Sequence, residues 1–239
     1  MITRLRADVI ASSWTTDTLD ELLSDGALSA LMRDSRLPAL VELAGVDAPA
    51  ATLTRFFIGG QPERASALDA ALPTLGAAGL ETLGLAATID EDEAASALVM
   101  PRPCSKSAPK RERAQAGEGE EASFPTAPAL PTMRDPDEES EPEVVVDPWM
   151  RALYDLRPHA AALPGGEHEW WVTSDLGEGQ TGKPLADHHV MGIGGATRTL
   201  LEMTVRDQVD SALDVGCGCG IQALYLATHA RRVVATDLS

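Results

Sequence analysis

Residues 211–239 read SALDVGCGCGIQALYLATHARRVVATDLS, two short apolar runs separated by a glycine-rich turn and a stretch of helical period. Ala212 to Val215 is fit for a buried parallel strand, Ile221, Leu224 and Ala227 repeat at helical spacing, and Val233 to Ala235 form a second apolar run that ends at Asp237. This order predicts a β-α-β unit with Gly216, Gly218 and Gly220 at the carboxyl end of its first strand. Without a Cβ, such a loop can turn sharply and bring main-chain N–H groups close to a ligand. An acidic residue at the tip of the second strand, where Asp237 falls, can accept hydrogen bonds from both hydroxyls of a ribose.

Two cofactor classes use this geometry. Gly218-Cys-Gly220-Ile-Gln-Ala223 fits the dinucleotide pattern G-x-G-x-x-A, and Asp237 lies 19 residues beyond Gly218, which allows an NAD reading. Asp214 favours the other class, because a pyrophosphate gains nothing from a carboxylate just ahead of the glycines. Together with the flanking EWWVTSDLG, PLADHHVMGIGGATRTLLEMTVR and VVATDLS, the stretch resembles class I S-adenosylmethionine-dependent methyltransferases of the methyltransferase-small type. These are bacterial two-domain enzymes related to those that methylate glutamine in peptide release factors and to several rRNA and DNA amino-methyltransferases. The resemblance covers residues 151–239.

The resemblance implies a Rossmann-like catalytic domain, S-adenosyl-L-methionine as cofactor, and N-methylation of a protein glutamine or of an amino group in RNA or DNA. It implies that Asp214, Gly216, Gly218 and Gly220 line the methionine and adenosine side of the cofactor and that Asp237 holds the ribose. Gly194 and Thr197 would close over it from the preceding loop. In these relatives Asn-Pro-Pro and an aromatic residue hold the acceptor nitrogen, whereas this chain contains no asparagine, so its catalytic residues are unassigned. The expectation is a chain truncated after the second strand of its sheet, with a C-terminal unit marginal by itself. The alternative to an enzyme is a catalytically incomplete interaction module.

Upstream, residues 1–100 read as a small helical auxiliary domain of about five short helices, in an α/β protein overall. Thr18 and Glu21 have capping-box spacing, and Leu19, Leu22, Leu23, Ala27 and Leu31 follow as one helical face. Pro38, Pro49, Pro62 and Pro73 mark helix starts, with Gly59-Gly60 and Gly79 as stops. Ala97 to Met100 reads as a strand, and helices followed by a strand would suit a winged-helix module. Residues 101–147 hold half of the 16 prolines, a basic patch from Lys106 to Arg113 and the acidic run DPDEESEPE. That composition predicts a disordered linker or insertion, in which Cys104 is incidental. From 148 onward, two β-rich runs around Pro164-Gly165-Gly166 predict a hairpin in which Trp170 and Trp171 face opposite sides.

The formal net charge is −18, and residues 1–100 carry six Arg, no Lys and fifteen Asp or Glu. That balance disfavours an anionic membrane or a nucleic-acid backbone gripped by a basic helix. Three cysteines and an N-terminus without an apolar leader run place the chain in the cytoplasm, and no stretch approaches the ~18 apolar residues of a membrane span. His188-His189 and the pair Cys217/Cys219 lack the further ligands of a metal site, so no metal is expected.

Overall fold

The computed structural model describes residues 1–98, 146–163 and 165–238. It is a mixed fold of helices and small sheets, in keeping with the α/β expectation. Eight helices fill the N-terminal region: α1 (Ile2–Ala11), α2 (Thr16–Leu22), α3 (Asp25–Leu31), α4 (Leu37–Glu42), α5 (Pro49–Leu53), α6 (Ala65–Ala71), α7 (Gly76–Thr82) and α8 (Glu91–Ala97). A wide π-turn, Thr54–Ile58, continues α5. Two strands, β1 (Glu63–Arg64) and β2 (Ala86–Ile89), interrupt the helices.

The local chemistry explains most helix starts. Pro38 and Pro49 occupy the first turns of α4 and α5, where a missing N–H costs nothing. The leucine face read across residues 19–31 is two helices, because Leu23 is extended and the Ser24 hydroxyl caps α3 by accepting from Ala27 N at 3.2 Å. The α2 cap is Thr15 rather than Thr18, and Thr15 accepts from Thr18 N. Gly79 does not stop a helix; it lies buried within α7, where an added Cβ would stand 2.5 Å from a Leu75 methyl. Ala97 closes α8 and is no strand, while Val99 and Met100 lie outside the described residues. So does most of the segment read as a linker, Cys104 included.

Beyond that segment the chain returns to the first sheet. Strand β3 (Trp149–Ala152) inserts between β1 and β2 and pairs antiparallel with both, Met150 opposite Glu63 on one side and Thr88 on the other. Asp147, just ahead of it, accepts from Ser66 N (2.9 Å) and Ser66 Oγ (2.7 Å) at the start of α6. Met1–Pro101 and Asp147–Ser239 accordingly form one unit. The expected hairpin follows as β4 (Tyr154–Leu163) and β5 (Gly166–Asp175), in register from Tyr154↔Asp175 to Leu163↔Gly166. Gly165 and Gly166 take φ of +110° and +132° at its turn, a region that L-side chains avoid.

Strand β5 serves two cores. On one face, Trp171 packs on the N-terminal core around Trp14, Leu53, Phe56, Phe57, Leu68 and Met150, and its Nε1 donates to Trp14 O at 2.8 Å. Trp14 stacks on Phe57 and donates through Nε1 to Thr54 Oγ1 at 3.0 Å. On the other face, Trp170 and Val172 join a second, smaller core with Leu201, Ile221 and Tyr225. Beyond the hairpin come α9 (Glu178–Thr181), α10 (Gly195–Met203), β6 (Ala212–Val215), α11 (Ile221–Leu226) and β7 (Val233–Thr236), of which α10 and α11 supply that core together with Ile193 and Cys219. Strands β6 and β7 are parallel, Ala212 opposite Val233 and Val215 opposite Thr236, with α11 as the crossover. Their two-stranded sheet leaves Leu213 62% and Val215 75% exposed.

Truncating Phe57, fully buried between Trp14 and Phe56, to alanine is expected to lower unfolding free energy by about 3–5 kcal/mol in urea denaturation. Trp171→Phe, which loses the bond to Trp14 O, is expected to cost about 1 kcal/mol. Equal stability of Trp171→Phe and the parent would show that this bond does not hold the hairpin to the first core.

Candidate functional site

The glycine turn lies where β6 ends. Gly216, Gly218 and Gly220 have φ of +72°, +49° and +77°, so all three need the left-handed region that makes glycine the favoured residue. Nothing stands within 4 Å of a Cβ built on any of them; open space, not a neighbouring side chain, lies beside the loop. The turn is tied to the end of β7: Gly216 N and Cys217 N both donate to Thr236 O, at 2.8 and 3.0 Å. Asp237 Oδ2 accepts from Gly218 N at 2.6 Å, and Oδ1 from Leu238 N at 2.7 Å. The carboxylate thus abuts the glycine loop, as the strand order requires. Cys217 and Cys219 are free thiols, half-buried.

Asp214 is the anomaly. It is 8% exposed on the α11 side of β6, and its Oδ2 is buried with no hydrogen-bond partner among the described residues. Burying an ionisable oxygen unpaired costs free energy, and native proteins seldom tolerate it without a functional reason.

Gly194 and Thr197 sit on the neighbouring element. Gly194 is the residue before α10, and the Thr197 carbonyl accepts from Gln222 Nε2 of α11 at 3.1 Å. This bond couples the first turn of α10 to the helix that follows the glycine turn, so Thr197 lies in a helix rather than in the loop ahead of it. Two adjoining hollows, of about 500 and 460 Å³, lie along α10, the hairpin and helices α2 and α3. Of the residues expected at the site, Gly194 alone borders them, while Asp214, the three loop glycines and Asp237 stand apart.

Two polar clusters escaped the sequence reading. In the first, Arg157 forms a bidentate pair with buried Asp155, and Gln180 Nε2 donates to Asp155 Oδ2 (3.0 Å), Phe57 O and Ile58 O. Burial alone would depress the Arg157 pKa, but the Asp155 carboxylate outweighs it and holds the guanidinium above its ordinary value. In the second, His159 Nε2 meets the Tyr225 hydroxyl at 2.9 Å, with the His159 ring stacked against Trp170. The one available signal was a run of polar and cyclic residues, Arg157-Pro158-His159, inside a strand. The His188-His189 pair places His189 Nδ1 3.8 Å from Asp175 Oδ2. Among the described residues no three His, Cys, Asp or Glu gather in a manner that could hold a metal, and no helix is long and apolar enough to cross a membrane.

In comparison with known protein families, residues 11–97 match a domain of unknown function (DUF7059). The matched stretch runs from the end of α1 through α8 and stops short of β3 and the glycine turn. No curated protein and no solved structure matches the chain.

His159 provides a pH test of this region. Burial, reinforced by the Arg198 charge, lowers its pKa below the ordinary 6.5. The unfolded chain therefore binds the proton more readily than the folded one. The stability contributed by neutral His159 is complete above pH 6.5 and is lost as pH falls through its lower folded value. Chemical denaturation between pH 7.5 and 5 is expected to show a decline that His159→Gln makes shallower; an identical slope in the variant would exclude His159 as its source.

Proposed function

We propose that residues 148–239 carry the donor side of an S-adenosylmethionine-dependent N-methyltransferase site on a Rossmann-like β-α-β unit. The observation that carries this reading is the pairing of two carboxylates around one glycine turn. Asp237 accepts from the turn itself at Gly218, and Asp214 lies buried at its entry with an oxygen that no group satisfies among the described residues. The three positive-φ glycines leave the loop main chain open to close approach.

The residues present fit such a cofactor on its ribose and loop side. Asp237 would accept from the ribose hydroxyls, Asp214 would gain a polar partner it now lacks, and Gly216, Gly218 and Gly220 would line the contact. Gly194 and Thr197, the latter bonded to Gln222 of α11, would border it from the other side. When bound, the cofactor supplies a methyl group activated on a sulfonium. The protein's own part is to hold the acceptor in line and to keep water out. The acceptor class that the resemblance implies is a protein glutamine or an amino group of RNA or DNA; no residue here is assigned to acceptor chemistry.

A second reading, an NAD site, rests on the G-x-G-x-x-A spacing from Gly218 to Ala223 with Asp237 beyond it. The buried Asp214 carboxylate argues against it, since a pyrophosphate near an unpaired negative charge is repelled. Parallel titrations with S-adenosylhomocysteine and NAD separate the two. Binding of S-adenosylhomocysteine, weakened about ten-fold or more by Asp237→Ala, is the expected result. Binding of NAD alone transfers the site to the second reading, and binding of neither by the folded protein leaves a non-enzymatic interaction module.

A further inference from the structure

Apart from Gly194, which borders it, the cleft along α2, α3, the hairpin and α10 shares no residue with the site above. We propose that it is a docking groove for an extended, lysine- or arginine-bearing segment of another protein. Its two hollows share Thr16, Leu31, Met32, Arg157, His159 and Arg198, so they form one elongated channel rather than a single rounded pocket. Leu19, Leu28, Ile58 and Leu201 give it an apolar floor, suited to the alternate side chains of an extended peptide.

The charges of the rim select the ligand. Asp20, Asp34, Glu178 and Glu202 are exposed along it. Among the cations, Arg157 is neutralised by Asp155, and Arg206 lies 5.7 Å above the Tyr225 ring while donating to Leu201 O. Arg198 faces Met32 Sδ and forms no ion pair among the described residues. The rim therefore has an excess of carboxylates, which attracts a basic peptide and repels a phosphate backbone.

A hydroxyl in the wall supplies an independent observation. Thr16 borders the channel, and its Oγ1 is buried with no hydrogen-bond partner among the described residues. Buried hydroxyls are usually satisfied, and the main chain of an extended segment carries both donors and acceptors. Among the described residues strand β4 pairs only with β5, so its outer edge, from Arg157 to Ala160, offers further main-chain groups beside the channel. Pro158 removes one donor from that edge.

The test uses the full chain without cofactor, so that it stands or fails apart from the methyl-transfer reading. An acetylated twelve-residue peptide of alternating lysine and valine is titrated by fluorescence anisotropy, beside its glutamate counterpart and a twelve-nucleotide oligouridine. Only the lysine peptide is expected to bind, and more weakly as salt rises. The double variant Asp20→Asn/Glu202→Gln is expected to bind it roughly five-fold more weakly, whereas Glu167→Gln/Asp207→Asn, which changes net charge equally away from the channel, is expected to bind as the parent does. In methyl NMR, Met32 and Met191, which border the channel, are expected to shift while buried Met150 stays fixed. Tighter binding of oligouridine or the glutamate peptide, no binding at all, or equal loss in both double variants would overturn the proposal; equal loss would show attraction by overall charge alone.

Discussion

Strand β3 is the constraint on which the rest of the molecule depends. Four residues taken from beyond the 102–146 segment become the central strand of a sheet whose edges, β1 and β2, belong to the helical region. A central strand satisfies main-chain groups on both sides, so removing it would orphan both edges at once. Met150, fully buried in the first core, adds packing to pairing. With β3 in place, the chain leaves directly into β4, and the hairpin is delivered against Trp14 and Phe57. Its opposite face then becomes the platform on which Leu201 and Ile221 pack. The glycine turn is thus held to the N-terminal helices through a relay of β3, hairpin and α11.

That relay explains why β5 carries two tryptophans in succession. Neighbouring strand residues point to opposite faces, and here each face has a core to fill. Trp171 meets the larger core and finishes with a hydrogen bond to Trp14 O, while Trp170 fills the aromatic group of His159 and Tyr225. The β6–β7 sheet is covered less completely. Parallel strands are ordinarily buried on both faces; α11 covers the side of Ala212 and Asp214, and the side of Leu213 and Val215 faces solvent.

How far the sequence could be read varies with the range of the forces involved. The β-α-β unit was legible to within a residue or so, because its signals are local: an apolar tetrad, three glycines needing positive φ, a helical repeat and a terminal aspartate. The hairpin was legible for the same reason, from Pro164-Gly165-Gly166 and the β-rich runs beside it. The helical face from Leu19 to Leu31 was misread as continuous because Leu23 keeps the apolar period while leaving the helix, and Ser24 restarts it. Strand β3 was not legible as part of the first sheet, since its partners Glu63, Arg64 and Ala86 to Ile89 lie far away in sequence and nothing in WMRA names them. The cleft, too, arises only when α2, α3, β4 and α10 are brought together. The placement of the glycines after β6 and of Asp237 after β7 follows from the local pattern, but the buried Asp214 Oδ2 that lacks a partner among the described residues and the Gln222 link to Thr197 are products of packing.

Asp214→Asn tests the central claim most directly, because the carboxylate is held buried at a cost to the free chain. If the group is kept for a ligand, the variant should unfold about 1 kcal/mol harder than the parent in the absence of ligand and yet bind S-adenosylhomocysteine more weakly. A variant that gains no stability and binds S-adenosylhomocysteine as tightly as the parent would show that Asp214 is not retained for such a site, and would contradict the account given for this fold.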